Sequence, residues 1–251
     1  MGFYPSARFA AACPEPRTGP FAGVLRFLGQ HVGVEPHTVF ITGGTGYIGR
    51  RLIPLLLARG HGVRALVRKG SGKKLPAGCI GVPGDALDRT TFAGQIAPAD
   101  TFIQLVGVPH PSPSKAAQFR TVDLVSGLGS VAAASEAGIR HFIYVSVAQP
   151  SSMMKAYLAV RAEVEAALRA SGLNATILRP WYVLGPGHRW PYLLLPVYWL
   201  MERLPSTRDS ARRLGLVTLP QMLQTLVRAV ETPAAGIRIW GVPQIRDQTE
   251  P

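Results

Sequence analysis

The sequence has little cysteine, little lysine and little acid, and each shortage narrows what the chain can be. Its two cysteines, Cys13 and Cys79, stand far apart with no second pair, which excludes a disulfide framework and a cysteine-based zinc site and points to a reducing, cytoplasmic setting. The histidines at 31, 37, 61, 110, 141 and 188 are scattered, without an H-x-x-x-H spacing or a carboxylate at ligand spacing, so no metal site is expected. No stretch reaches the roughly 20 apolar residues that a membrane-crossing helix needs. Near the start, Phe21 to Leu28 is interrupted by Gly23 and Arg26, which leaves no continuous apolar region for a secretory signal. No internal repeat is visible, and no nucleic-acid recognition motif accompanies the positive charge, so no nucleic-acid partner is expected.

Positive charge is what the chain has in excess. Its 27 Lys+Arg against 14 Asp+Glu give a formal net charge of +13, and all but 5 of those cations are arginine. An arginine-rich composition accounts for the general level; the distribution is more informative. Between Glu35 and Asp85 there is no acidic residue, while Arg50, Arg51, Arg59, Arg64, Arg68, Lys69, Lys73 and Lys74 supply eight positive charges, so an anionic ligand is expected along that stretch. With 47% hydrophobic residues over 251 positions, the chain can bury a substantial core.

Residues 1–37 mix Pro, Gly, Ala and Arg without a sustained period and read as a poorly ordered leader, which an over-extended start would equally explain. From Thr38 the pattern becomes short β-rich runs alternating with longer helical stretches, the order of an α/β fold with a doubly wound parallel sheet. Strands are expected at 38–42, 63–67, 80–82, 101–106, 141–146, 175–178 and 237–240. Helices are expected at 47–59, 115–137, 152–170 and 221–230. Residues 38–251 then form one domain, with 181–220 supplying most of a small C-terminal substrate lobe.

Directly after the first strand stands Gly43-Gly44-Thr45-Gly46-Tyr47-Ile48-Gly49, opening a helix. Glycine lets a backbone turn tightly and approach a pyrophosphate, whose charge is met by N–H groups and the positive helix end, so a dinucleotide site of Rossmann type is expected at Gly43, Thr45, Gly46, Tyr47, Ile48 and Gly49. An NAD site usually ends its second strand on a carboxylate that holds the ribose 2′-hydroxyl. Here the strand ends on Arg68 and Lys69, suited to a 2′-phosphate through charge-assisted hydrogen bonds, so NADP(H) is expected in preference to NAD(H).

Together, TGGTGYIG, LVRKG, VPGDALD (82–88), HFIYVSV (141–147) and YLAVRAEVEAALRASGLNATILRP (157–180) resemble the short-chain dehydrogenase/reductase superfamily in its extended or atypical branch, close to the NmrA-like and epimerase/dehydratase-like families. The resemblance implies that Asp85 bonds the adenine amino group and that Leu105, Val106 and Gly107 pass along the adenosine ribose and nicotinamide side. It makes Ser146 the substrate-polarising serine and Tyr157 the acid/base, with Arg161 holding the nicotinamide ribose where the family normally has lysine. Four residues apart on a helix, Tyr157 and Arg161 share one face, and a phenol beside a cation can donate and recover a proton. The activity implied is hydride transfer to or from a carbonyl or alcohol. A non-catalytic NADP(H)-binding regulator or accessory subunit, and a sugar-nucleotide epimerase or dehydratase, are the alternatives. The chain departs from many extended members at 216–220, LVTLP, which carries no aspartate.

A small-molecule substrate, hydrophobic or anionic, is expected. Trp190 to Met201 is twelve residues without a charge, flanked by Arg189, Arg203, Arg208, Arg212 and Arg213. This segment suits a buried lobe element, a hydrophobic pocket or lid, or peripheral contact with a membrane. His110, just after the fourth strand, stands near the expected nicotinamide position. Nothing in the sequence speaks to oligomeric state.

Overall fold

A computed structural model describes residues 35–151, 153–187, 195–205 and 207–247. The chain divides into two units, residues 1–35 and 36–251, and the second holds everything that follows. Most of the expected leader, residues 1–34, lies outside the described residues, as does Trp190 to Leu194. At the near edge His37 is already tied in: its ring Nδ1 bonds Asp100 at 3.0 Å, and its carbonyl accepts from the Gly62 N–H.

Seven parallel strands form the central sheet, in the order β3-β2-β1-β4-β5-β6-β9. They are β1 (Thr38–Thr42), β2 (Gly62–Val67), β3 (Ile80–Pro83), β4 (Thr101–Gln104), β5 (His141–Val145), β6 (Ala175–Arg179) and β9 (Ile237–Gly241). All seven expected strands are present, and the doubly wound order follows from right-handed crossovers that start at β1 and run outward both ways. The lobe adds a separate parallel pair, β7 (Tyr182–Leu184) with β8 (Leu216–Thr218), which the sequence pattern did not suggest. Each is only three residues long, too short for a period to register.

The inner strands β1, β4, β5 and β6 are apolar on both faces because helices cover both, whereas the edge strands β3 and β9 are exposed or half-buried over most of their length. Val39, Ile41, Ile103, Ile143 and Leu178 point to one side, where they pack with Leu52, Ile53 and Leu56 of α1 (Gly49–Ala58). Phe40, Phe102, Phe142 and Ile177 point to the other, against the long helices that precede and follow β5. The parallel register sets Phe40 beside Phe102 and Phe102 beside Phe142, so the three rings form a ladder with centroids 5.3 and 5.1 Å apart.

The expected helix 115–137 is built in three parts: α2 (Ala116–Gln118), a wider π-helical turn over Phe119–Leu124, and α3 (Val125–Glu136). After β5 comes α4 (Lys155–Ala170). The lobe then contributes α5 (Leu195–Arg203) and α6 (Arg208–Arg213), and the chain continues with α7 (Leu219–Glu231) and, after β9, α8 (Val242–Arg246). Residues 216–220, LVTLP, form β8 and the start of α7, where the Thr218 hydroxyl and the Gln221 side chain make a reciprocal cap. Among the described residues no helix is long and apolar enough to cross a membrane, and no cluster of side chains suits a metal ion. Burial pushes the thiol of the half-buried Cys79 up to about 11, which keeps it protonated and unreactive.

Candidate active site

The glycine turn emerges from β1 at the carboxyl edge of the sheet. Gly43 has φ +77°, a conformation that strains any L side chain, and a Cβ there would lie 2.9 Å from the Leu105 carbonyl carbon. The turn therefore packs directly on the strand end that follows β4. Its helix, α1, begins without a side-chain cap and without an acidic residue in its first turn. The Arg50 and Arg51 N–H groups bond the Gly46 and Ile48 carbonyls, so what the helix start offers an anion is its positive end together with the glycine turn in front of it.

One strand over, β2 ends at Val67 and passes into Arg68 and Lys69, both exposed. Neither side chain has an ion-pair partner among the described residues. Asp85 follows β3; its Oδ1 accepts from the Leu87 N–H at 3.0 Å, and the other carboxylate oxygen remains available. The fourth strand stops at Gln104, two residues earlier than expected. The buried Gln104 side chain accepts from Thr42 Oγ1 and from the Val106 N–H at 2.8 Å, turning the backbone out of the sheet, so that Leu105, Val106 and Gly107 form a loop facing the glycine turn.

A cavity of about 250 Å³ opens where β1, β4, β5 and β6 end. Ile48, Gly107, Ser146, Tyr157, Arg161 and Trp181 are among its walls. This is the crevice outside the strand ends at which the sheet's winding reverses, the usual ligand position in open α/β sheets. His110 also lines it, with φ 49° and its carbonyl accepting from Lys115 Nζ at 3.0 Å.

On α4, Tyr157 and Arg161 share a face as their spacing requires, and the Arg161 guanidinium lies 5.0 Å from the Tyr157 ring centroid. The Tyr157 hydroxyl has no hydrogen bond to a described residue. Arg161 is 6% exposed, and its Nη2 donates to Asp123 Oδ1 at 2.5 Å and its Nη1 to the Val145 carbonyl at 2.9 Å. Burial opposes its charge, but Tyr157, Tyr144 and Asp123 hold its pKa above the ordinary arginine value. Asp123 spends its second oxygen on the Val108 N–H. A Cβ on Gly107 would fall 2.6 Å from Arg161 Nη2 and 3.1 Å from Asp123 Oδ1, so glycine is required for the loop to pass this ion pair.

Ser146 reaches the same cavity, and its hydroxyl has a firm partner there. The Oγ donates to Glu165 Oε1 at 2.6 Å. Glu165 is buried and also accepts from Gln149, Arg169 and, through two nitrogens, Arg179. Burial alone would raise its pKa; the bonds from Arg179 and Ser146 outweigh this and hold it below the usual carboxylate range.

Residues 43–188 match a family model described as NAD(P)H-binding, more than half of the chain. The chain belongs to the NAD(P)H-binding family. A ceramide reductase of Caulobacter vibrioides is 28% identical over 79% of this chain and 62% of that protein. A protein of Bacillus subtilis named an uncharacterized sugar epimerase is 30% identical over 57% of this chain and 70% of its own. A ketoreductase of Stigmatella aurantiaca, named for a farnesyl-bearing dihydroquinoline oxide, is 29% identical over 58% of this chain and 50% of that protein. The chain thus spans between half and two thirds of the two reductases. In fold it is similar to the Bordetella bronchiseptica enzyme WbmH solved with NAD+, with a TM-score of 0.61 and 21% identity over 82% of this chain and 75% of that one.

The residues of this NAD(P)H-binding chain fit a nicotinamide dinucleotide on two structural counts. Gly43, at φ +77° and with no room for a Cβ against the Leu105 backbone, lets the turn lie close on the strand end beside the cavity, and the Nε of Arg161, a residue of the cavity wall, is buried with no hydrogen-bond partner among the described residues. Sequence reasoning did not single out Asp123 or Glu165. Asp123 is the one acid between Asp100 and Glu136, and a lone carboxylate, once buried, needs a cation. Glu165 stands four residues beyond Arg161, on the face already assigned to Tyr157 and Arg161.

Proposed function

We propose that this chain is an NADP(H)-dependent oxidoreductase of the atypical short-chain dehydrogenase/reductase type, acting on an apolar carbonyl or alcohol in the cytoplasm. The observation that carries the reading is Tyr157, its hydroxyl unpartnered at a cavity, with the buried Arg161 cation across its ring. When bound, the nicotinamide supplies or takes up the hydride at the substrate carbon. Tyr157 gives its phenolic proton to the oxygen that becomes a hydroxyl, and takes it back in the reverse direction. Arg161 stabilises the phenolate left behind, and its orphaned Nε is the donor for a ribose hydroxyl. Arginine does not relay a proton as lysine can, so the half-buried Tyr157 is reprotonated from solvent.

Ser146 keeps its hydrogen on Glu165, so it serves as an acceptor for a substrate hydroxyl, and Tyr157 is the donor to a carbonyl oxygen. The turn from Gly43 through Gly49 carries the pyrophosphate. Asp85 offers its free oxygen to the adenine amine, and Leu105 to Gly107 run along the adenosine and nicotinamide side. Arg68 and Lys69 grip the 2′-phosphate, which is what favours NADPH over NADH. Val108, Trp181 and Val183 make an apolar wall, consistent with the names of the two reductase relatives and less suited to a sugar nucleotide.

A non-catalytic NADP(H)-binding role is favoured by one observation, the commitment of the Ser146 proton to Glu165. Tyr157→Phe separates the two. With long-chain ketones and aldehydes as substrates, the substitution is expected to cut kcat by about a hundred- to ten-thousand-fold while NADPH binding by calorimetry is unchanged. Wild-type turnover that survives in Tyr157→Phe removes the acid/base assignment, and absence of any turnover with intact NADPH binding supports the regulator.

A further inference from the structure

α5 is amphipathic with its apolar side turned outward. Pro196, Trp199, Leu200, Arg203 and Leu204 recur at the i, i+3, i+4, i+7, i+8 spacing that puts residues on one helical face, and all five are exposed. Trp199 is 58% exposed, Leu200 54% and Leu204 47%. The opposite face is the one held by the protein: Tyr198 is hydrogen-bonded to Trp181 of the cavity wall, and Glu202 pairs with Arg246 at 2.8 Å. Two cations flank the apolar stripe. Arg203 stacks on the Trp199 ring at 3.3 Å, and Arg208 folds back to the Glu202 carbonyl. Among the described residues neither arginine pairs with a carboxylate, and the one acid of α5, Glu202, is already neutralised from behind.

We infer that this face docks on an anionic lipid surface, with Trp199, Leu200 and Leu204 entering the headgroup boundary and Arg203 and Arg208 meeting lipid phosphates. An indole on a convex helix, flanked by unpaired arginines, has the two attractions that interfacial binding needs: apolar burial and charge. A second copy of the chain fits poorly. A two-fold contact would set the arginines of both copies against one another, and three apolar side chains fall far short of the roughly 800 Å² per partner of a stable interface. Because Tyr198 on the inner face is bonded to Trp181 of the cavity wall, docking would bring the cavity close to the lipid. The inference holds whether or not the cavity carries out hydride transfer.

The test is co-sedimentation of the full chain with vesicles of phosphatidylcholine and phosphatidylglycerol at 3:1, beside pure phosphatidylcholine vesicles. Binding is expected to the anionic vesicles and to fall at least tenfold with the neutral ones or at high salt. The triple variant Trp199→Ala, Leu200→Ser, Leu204→Ser and the charge reversal Arg203→Glu, Arg208→Glu should each lose at least tenfold in affinity while NADPH binding and thermal unfolding stay those of the wild type. Brominated acyl chains should quench tryptophan fluorescence, and Trp199→Phe should remove most of the quenching. Failure of the wild type to sediment with anionic vesicles overturns the inference, as does undiminished binding by the triple variant. So does a wild-type dimer in sedimentation velocity that the triple variant abolishes, since that would assign the face to a second copy.

Discussion

At the end of β2, Arg68 and Lys69 stand exposed with no ion-pair partner among the described residues, whereas across the sheet Arg161 of α4 and Arg179 at the end of β6 are held against the buried carboxylates of Asp123 and Glu165. One region leaves its cations to solvent and to whatever anion arrives; the other uses them to set the positions of Tyr157 and Ser146. Free surface charge costs the fold little and can be spent on a ligand, while a buried charge is tolerable only with its partner in place. Substitutions in the two regions should therefore separate binding from stability.

The largest effect is expected at Asp123→Ala, which strands Arg161 in the core. Urea unfolding should report a loss of about 3–5 kcal/mol, and adding Arg161→Met should recover most of it. An Asp123→Ala variant as stable as the wild type would mean that Arg161 reaches solvent, and the contrast between the regions would collapse.

A buried histidine extends the same contrast to pH. His141, 1% exposed at the start of β5, is pushed down to about 4, first by burial and then by the Arg238 and His37 charges, against the opposing pull of Asp100. The folded pKa lies below the ordinary 6.5, so the unfolded chain binds more protons between the two values. His141 therefore leaves stability intact above 6.5 and subtracts from it as pH falls toward 4, by ~3 kcal/mol in all. Unfolding measured at pH 7 and pH 4.5 should show a steeper fall in the wild type than in His141→Asn; parallel profiles would remove this histidine from the account.

A smaller effect sharpens the surface side. Arg68→Ala with Lys69→Ala should weaken NADPH tenfold or more, about 1.4 kcal/mol, leave NADH unchanged and shift unfolding by less than ~0.5 kcal/mol. Equal losses for both nucleotides would end the 2′-phosphate assignment. Smallest of all is the surface pair Arg89–Glu136, both partners well exposed. Arg89→Ala should change stability by less than about 0.5 kcal/mol in double-mutant cycles.

Much of this architecture was readable before folding was considered. The inner strands β1, β4, β5 and β6 were legible because strands covered on both faces are apolar nearly throughout, and the outer ones because short β-branched runs there are punctuated by Gly and Pro. The glycine turn was legible because its spacing follows a strand and opens a helix. The lobe and the last helix were not: β7, β8, α6 and α8 are three to six residues long, and elements that short are formed by their neighbours, with no period of their own. The breakdown of the expected helix 115–137 into three parts was equally hidden. The wide turn at Phe119–Leu124 brings Asp123 to Arg161, and that demand comes from a residue 38 positions away.

The site divides along the same line. Residue types and local spacing by themselves determined the dinucleotide turn, the acid-free basic stretch from Pro36 to Gly84, and the shared face of Tyr157 and Arg161, since all of these depend on neighbours within a few positions. Only the tertiary structure decided where the charges go: that Arg161 is neutralised by Asp123, that the Ser146 hydroxyl belongs to Glu165, and that the apolar stripe of α5 faces outward. The physical reason is range. Helical and strand periods are set by bonds along the chain, whereas the energy of a charge or an apolar face depends on what folding places beside it, from any distance in sequence.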